Sequence, residues 1–339
     1  MKKSMALVLA LITLLVSFSL SASAEQTYTI VISAQVSATD FATRGTNHLA
    51  EIIEERSGGR IKVDLQYNGV LGSQGSEIDM FNNEICDMAV TSVTSNSDKL
   101  KELSYISLPL VPDAETSLEV LNTLQAEGYF DEMFAENDIR LAWWQTNESA
   151  YIFLKGKKVE TLEDLQGLKI AYPGGPYTKL MLDKLGAVAT GLNFSDFYMS
   201  LTTGVIDGVV LAPQAICTLG FLDAVDYLPL TVTSYGGCNS VFISQSFWDS
   251  LPADLQEVLE ECFVECQQVY YDAALAYYEE DRQILTDAGI EIYEVDPAEV
   301  SRWEEAVAPC VDEWVAAMTK QGIPAQEIID IARSVIDGK

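Results

Sequence analysis

Apolar and polar positions along this chain switch repeatedly between a two-residue and a helical period. Tyr28–Ala34 (YTIVISA) is a short β-type run. Asp40 then precedes a helical pattern from Phe41 to about Arg56, which Gly58 and Gly59 stop. Arg60–Tyr67 alternates as a half-buried strand, and Asn68-Gly69 opens a loop. Gly75–Asn83 reads as a helix, and Cys86–Ser92 as a compact strand that empties into a polar loop. This β-α-β-α-β rhythm predicts parallel strands with helices on their faces.

Asp138–Gln145 and Tyr151–Lys155 read as strands around a hinge-like connection. Leu168–Tyr172 is a strand broken by Pro173-Gly174-Gly175-Pro176, and a helix is predicted over Tyr177–Leu185. Phe194–Thr203 is a further helix, followed by strands at Gly208–Leu211, Asp226–Thr233 and Asn239–Ser244. Then the pattern changes. Between Pro252 and Gly289 there is no proline or glycine, and apolar residues recur at helical spacing from Leu255 to Leu285. Such a helix would run about 50 Å, longer than one small lobe, so it is expected to lie along two. A single amphipathic helix is predicted over Pro297–Gln321, ended by Gly322.

The first residues form no part of this pattern. Lys2 and Lys3, an apolar run from Ala6 to Leu20, and Ala22-Ser23-Ala24 read as an export signal over residues 1–24, cleaved before Glu25. The run is too short for a spanning helix. Losing Lys2 and Lys3 takes the net charge from −31 to −33, which makes nucleic acid and anionic membrane surfaces poor partners. Six cysteines are scattered without a framework spacing; Cys217 and Cys238 are the candidate bridge in an exported protein. With His48 as the only histidine, no metal site and no cofactor are expected. No nucleophile elbow, zinc-protease or phosphate-loop motif is present, so catalysis is not expected.

Five stretches in order carry a resemblance: Glu54–Gly72, Glu84–Ser92, Thr161–Ile170 with the following PGGP, Phe197–Gly208 and Phe247–Leu259. Together with the long helix they resemble the extracytoplasmic solute receptors of TRAP (tripartite ATP-independent periplasmic) transporters. The resemblance implies an α/β, two-lobed periplasmic binding protein-like fold with mixed sheets, an inter-lobe cleft and one long helix spanning both lobes. Lobe I would hold 25–148 plus 236–276, and lobe II 149–235 plus 277–339. It further implies a monomeric periplasmic protein that captures a small organic solute, an organic acid above all, and delivers it to TRAP membrane permease subunits. The alternative is a periplasmic protein that presents its ligand to a sensor kinase. The family commonly has an arginine after GLKI that clamps the ligand carboxylate; Ala171 stands there in this chain, and Asn147–Ala150 lacks a second one.

Candidate ligand contacts follow from loops after strands, where open α/β sheets place ligands. Gly174 and Gly175 leave backbone N–H groups bare at a helix start that Pro176 favours. Arg44 sits in the first turn of its helix, where a cation opposes the helix dipole, which suggests a role with a ligand. Trp143 and Trp144 would point to opposite sides of a strand, with Trp144 in the cleft. Tyr172 and Tyr235 would add aromatic walls, and Gln35, Asn68, Ser92, Asn147, Gln214 and Asn239 polar contacts.

Overall fold

The computed structural model describes residues 26–192, 194–218, 220–231 and 238–338, without the side chains of 194, 195 and 238. The expected export signal and Tyr235 lie outside the described residues. In chain order the strands are β1 (Tyr28–Ser33), β2 (Ile61–Gln66), β3 (Met88–Ser92), β4 (Ile139–Thr146), β5 (Tyr151–Leu154), β6 (Lys169–Tyr172), β7 (Val188–Gly191), β8 (Gly208–Leu211), β9 (Tyr227–Leu230), β10 (Cys238–Ser244) and β11 (Glu291–Glu294). The helices are α1 (Arg44–Arg56), α2 (Glu77–Asn82), α3 (Ala114–Ala126), α4 (Asp131–Glu136), α5 (Pro176–Lys184), α6 (Phe194–Thr202), α7 (Pro213–Thr218), α8 (Gln245–Ser250), α9 (Ala253–Asp287), α10 (Pro297–Val307), α11 (Pro309–Thr319) and α12 (Ala325–Asp337).

Two mixed sheets result, ordered β2-β1-β3-β10-β4 and β11-β9-β5-β8-β6-β7. Helices and loops cover both faces of β3, and all five of its residues are buried. The chain leaves the first sheet through β4, builds the second from β5 to β9, and returns through β10, antiparallel between β3 and β4. The long helix α9 then carries it back to β11, which pairs parallel with β9.

Helix α9 ties the halves together because one stripe of its side chains passes through three cores. Leu255, Leu259, Cys262 and Cys266 pack with Ile30, Ile32, Leu49 and Ile53 of the first lobe. Tyr270 and Ala274 pack on Phe41, and Leu285 enters the second lobe beside Phe197 and Val209. Its 35 residues span about 50 Å, the length needed to cross both lobes. At the other end of that contact, Asp40 caps the turn before α1, with Oδ1 accepting from Ala42 N at 2.9 Å.

Two expectations change at the C-terminus. The single helix predicted over Pro297–Gln321 is two, α10 and α11, because Pro309 has no N–H to continue the ladder and its ring crowds the preceding turn. The closing segment is not confined to the second lobe. Helix α12 packs on α3 of the first, and the Trp314 indole of α11 donates to Ser104 Oγ at 2.8 Å. The candidate bridge is also absent on its described side: Cys217 is a free thiol, donating to the Asp281 carbonyl at 3.7 Å. Burial pushes the thiols of Cys86 and Cys266 up to about 12, so both stay protonated and unreactive.

Candidate functional site

The strand register gathers the polar candidates at one rim of each sheet. In the first sheet Asn239 lies between Ser92 of β3 and Gln145 of β4. Ser33, at the end of β1, faces Gln66 at the end of β2, so Gln35 and Asn68 emerge at the same rim. In the second sheet Tyr172 pairs with Gly191 at the ends of β6 and β7, and Tyr151 pairs with Leu211, two residues before α7 and Gln214. Residues 147–150 join β4 to β5 and span less than about 20 Å even when extended. The two rims therefore lie on either side of one short crossing between the lobes.

The tyrosines of α9 clamp this crossing. Tyr270 donates to the Thr146 carbonyl at 3.1 Å and to Asn147 Oδ1 at 2.5 Å. The Tyr271 and Thr146 hydroxyls are 2.8 Å apart, and Glu148 N–H donates to the Tyr278 hydroxyl at 2.8 Å. Asn147 thus spends its side-chain oxygen on the hinge. Glu148 itself was not among the candidates, since one acid is inconspicuous in a chain with 51. Burial pushes its carboxyl up to about 6, opposed by Arg282 and reinforced by the charges of Asp281 and Glu279.

The remaining first-lobe candidates divide. Ser92 Oγ lies 3.2 Å from Thr94 Oγ1 and 3.1 Å from Ser95 Oγ, forming a hydroxyl cluster beside Asn239. Gln35 is half-buried, and its Nε2 is shielded without a partner. Gln145 lies deeper: its Nε2 donates to the Ala42 carbonyl at 2.9 Å, while Oε1 is buried without a donor. The Asn68 side chain is exposed. Arg44 is half-buried and donates to the Thr39 carbonyl at 3.1 Å, with the Tyr277 hydroxyl at 3.5 Å. Its neighbour Asp40 and the pairing with α9 give this cation a local structural role.

Trp144 departs from expectation. Alternation does send Trp143 and Trp144 to opposite faces, but helices cover both, and each indole is 1% exposed. Trp144 packs edge-on to Phe130 and Phe242, and its Nε1 donates to Gln125 at 3.0 Å. It is a core residue of the first lobe.

In the second lobe, Gly174 (φ 149°) and Gly175 (φ 91°) hold a backbone that side-chain-bearing residues rarely adopt, immediately before Pro176 starts α5. A Cβ on Gly174 would meet nothing within 4 Å, so the backbone there is open. A cavity of about 410 Å³ lies against it, lined by Tyr172, Gly174, Gly175, Gly191 and Asp196 among others. Gln214 is half-buried in α7. Ala171 is fully buried in the second-lobe core, so its position in β6 offers the crossing no side chain. Among the described residues no group of three or more His, Cys, Asp or Glu side chains is placed to hold a metal ion.

Comparison with known proteins agrees with this architecture. Residues 32–317 match the sequence model of the family described as bacterial extracellular solute-binding protein, family 7. The chain is 24% identical over 286 residues to the C4-dicarboxylate-binding periplasmic protein DctP of Rhodobacter capsulatus, covering 83% of this chain and 85% of that one. A TRAP periplasmic solute-binding protein from Ochrobactrum anthropi, solved with a C-terminus bound in its ligand pocket, superposes with a TM-score of 0.83 at 24% identity, covering 93% of this chain and 97% of that one. Another from Chromohalobacter salexigens, solved with D-glucuronate, gives 0.80 at 20% identity, with 89% and 99% covered.

Proposed function

Given that the chain belongs to the family 7 bacterial extracellular solute-binding proteins, we propose that the crevice at the crossing holds one small organic acid by backbone donors and uncharged polar groups. The protein is a periplasmic receptor of the TRAP class, which passes a small solute to its membrane permease subunits. The relatives above are transport receptors, and the sensor-kinase alternative has no support among them.

One observation carries the assignment of the acid: the Gly174-Gly175 backbone presents bare N–H groups at the positive end of α5, beside an open cavity. Such an end accepts a carboxylate without an arginine. Tyr172 would pack against the body of the solute, with Ser92, Asn239 and Gln214 at its hydroxyls. The chemistry is capture alone, and the solute leaves unaltered. The binding of D-glucuronate by the Chromohalobacter relative makes sugar acids a natural first set to test.

Thermal unfolding of the purified protein with hexuronates, aldonates and C4-dicarboxylates tests this reading. A ligand at a hundred times its Kd adds about 2.7 kcal/mol of stability. Small-angle scattering should show compaction with the same ligand, and mass spectrometry should recover the solute unchanged. No stabilisation by any organic acid would refute the proposal.

A further inference from the structure

The short crossing between the sheets carries more negative charge than its surroundings balance. The Glu148 side chain is 12% exposed; Oε1 lies 3.5 Å from Nη2 of Arg282, while Oε2 is shielded and meets no donor. Asp281, the preceding residue on α9, is 2% exposed, and its Oδ2 is likewise shielded without a donor. The other titratable groups facing them are Glu279, Glu280 and the Tyr278 hydroxyl of α9, the Cys217 thiol of α7 and the Tyr151 hydroxyl of β5. None is a cation. Arg282, itself 61% exposed, pairs with Glu148, and no cation is among the groups acting on Asp281. A buried charge without a partner is costly, and the deficit here is one positive charge bearing N–H donors.

We propose that the captured acid also carries a protonated amine, and that Glu148, backed by Asp281, receives it at the crossing. This rests on the crevice being the place where an organic acid is held. An ammonium group brings one positive charge and three donors, which suits a carboxylate oxygen left without a partner. The amine would sit at the crossing while the carboxylate occupies the Gly174-Gly175 helix end. The wider field acts in the same direction. A chain with a net charge of −31 repels a plain polyanion and draws in a cationic group.

Isothermal titration of the protein recovered from the periplasm tests this with matched acids that differ in an amine: succinate and aspartate, glutarate and glutamate, gluconate and 2-amino-2-deoxygluconate. In the pair that fits the crevice, the amine-bearing acid should bind at least about tenfold more tightly. Glu148→Gln should weaken that acid by about 30-fold or more, and should spare its amine-free partner. Affinity of the unmodified protein should fall as pH drops through about 6, where Glu148 takes up a proton. Asp281→Asn, with a smaller loss, and the pH profile stand in if Glu148→Gln does not fold. Equal or tighter binding of the amine-free acids, or full affinity in Glu148→Gln, overturns the amine proposal and leaves organic-acid capture intact. Silence from every acid in both series overturns both.

Discussion

Replacing Glu148 with glutamine should stabilise the protein at neutral pH, by an amount that develops across one pH window. Burial moves the carboxyl from 4.5 to about 6, despite the Arg282 guanidinium 3.5 Å away. The folded state therefore holds the proton more tightly than the unfolded chain. As pH rises from about 4.5 to about 6, unfolding releases that proton, and this site's contribution to stability declines. Below the window the contribution is complete, and above it the loss is complete. A gap of 1.5 in pKa, at about 1.36 kcal/mol each, makes the ionised carboxylate about 2 kcal/mol less favourable than its neutral form. Glutamine keeps the size and never ionises. Urea unfolding followed by tryptophan fluorescence, on both proteins from pH 4 to pH 7.5, isolates the effect: any constant offset from the amide cancels in the pH dependence. Glu148→Gln should gain about 2 kcal/mol on the wild type between the two ends, with the change centred near pH 5. A difference that stays flat with pH, or one of opposite sign, would show that Arg282 outweighs desolvation and would refute the reasoning. A stabilised variant that has lost its ligand would be a functional site held at a cost to stability.

Other substitutions probe the frame around the crevice. Gly208→Ala puts a Cβ 2.5 Å from the Phe153 carbonyl oxygen in the middle of the second sheet, so denaturant unfolding should show a loss of about 1–3 kcal/mol. Wild-type stability there would mean that β5 and β8 lie further apart than described. Trp144→Ala should cost about 3–5 kcal/mol by calorimetry while leaving ligand affinity unchanged, because the indole is core; weakened binding in a folded variant would restore it to the cleft. Gly175→Asp should weaken a carboxylate ligand by about tenfold or more in titration, since it sets a charge against the helix end and strains a φ of 91°. Unchanged affinity would move the acid elsewhere.

Much of the candidate site was legible because it depends on strand ends. A strand followed by polar or glycine-rich sequence marks where a loop leaves the sheet, and Ser92, Tyr172, Gly174 and Gly175 are found that way. Trp144 was misread because alternation tells which side of a strand a residue faces, and not whether that side is covered. Glu148 was overlooked for a related reason. Its importance comes from Arg282 and Asp281, which lie more than 130 residues away in sequence.

By itself the sequence determined the periodic elements, the uninterrupted run that becomes α9, and the Gly-Gly-Pro start of α5. These are local matters of φ, side-chain spacing and hydrogen-bond ladders, decided within a few residues. Even the break at Pro309 was written locally, in a residue that cannot extend a helix. Only the tertiary structure decided that β10 returns between β3 and β4, that α12 closes on the first lobe, and that two carboxylates are buried together at the crossing. Burial and charge balance are sums over everything that packs nearby, so they exist only once distant segments have met.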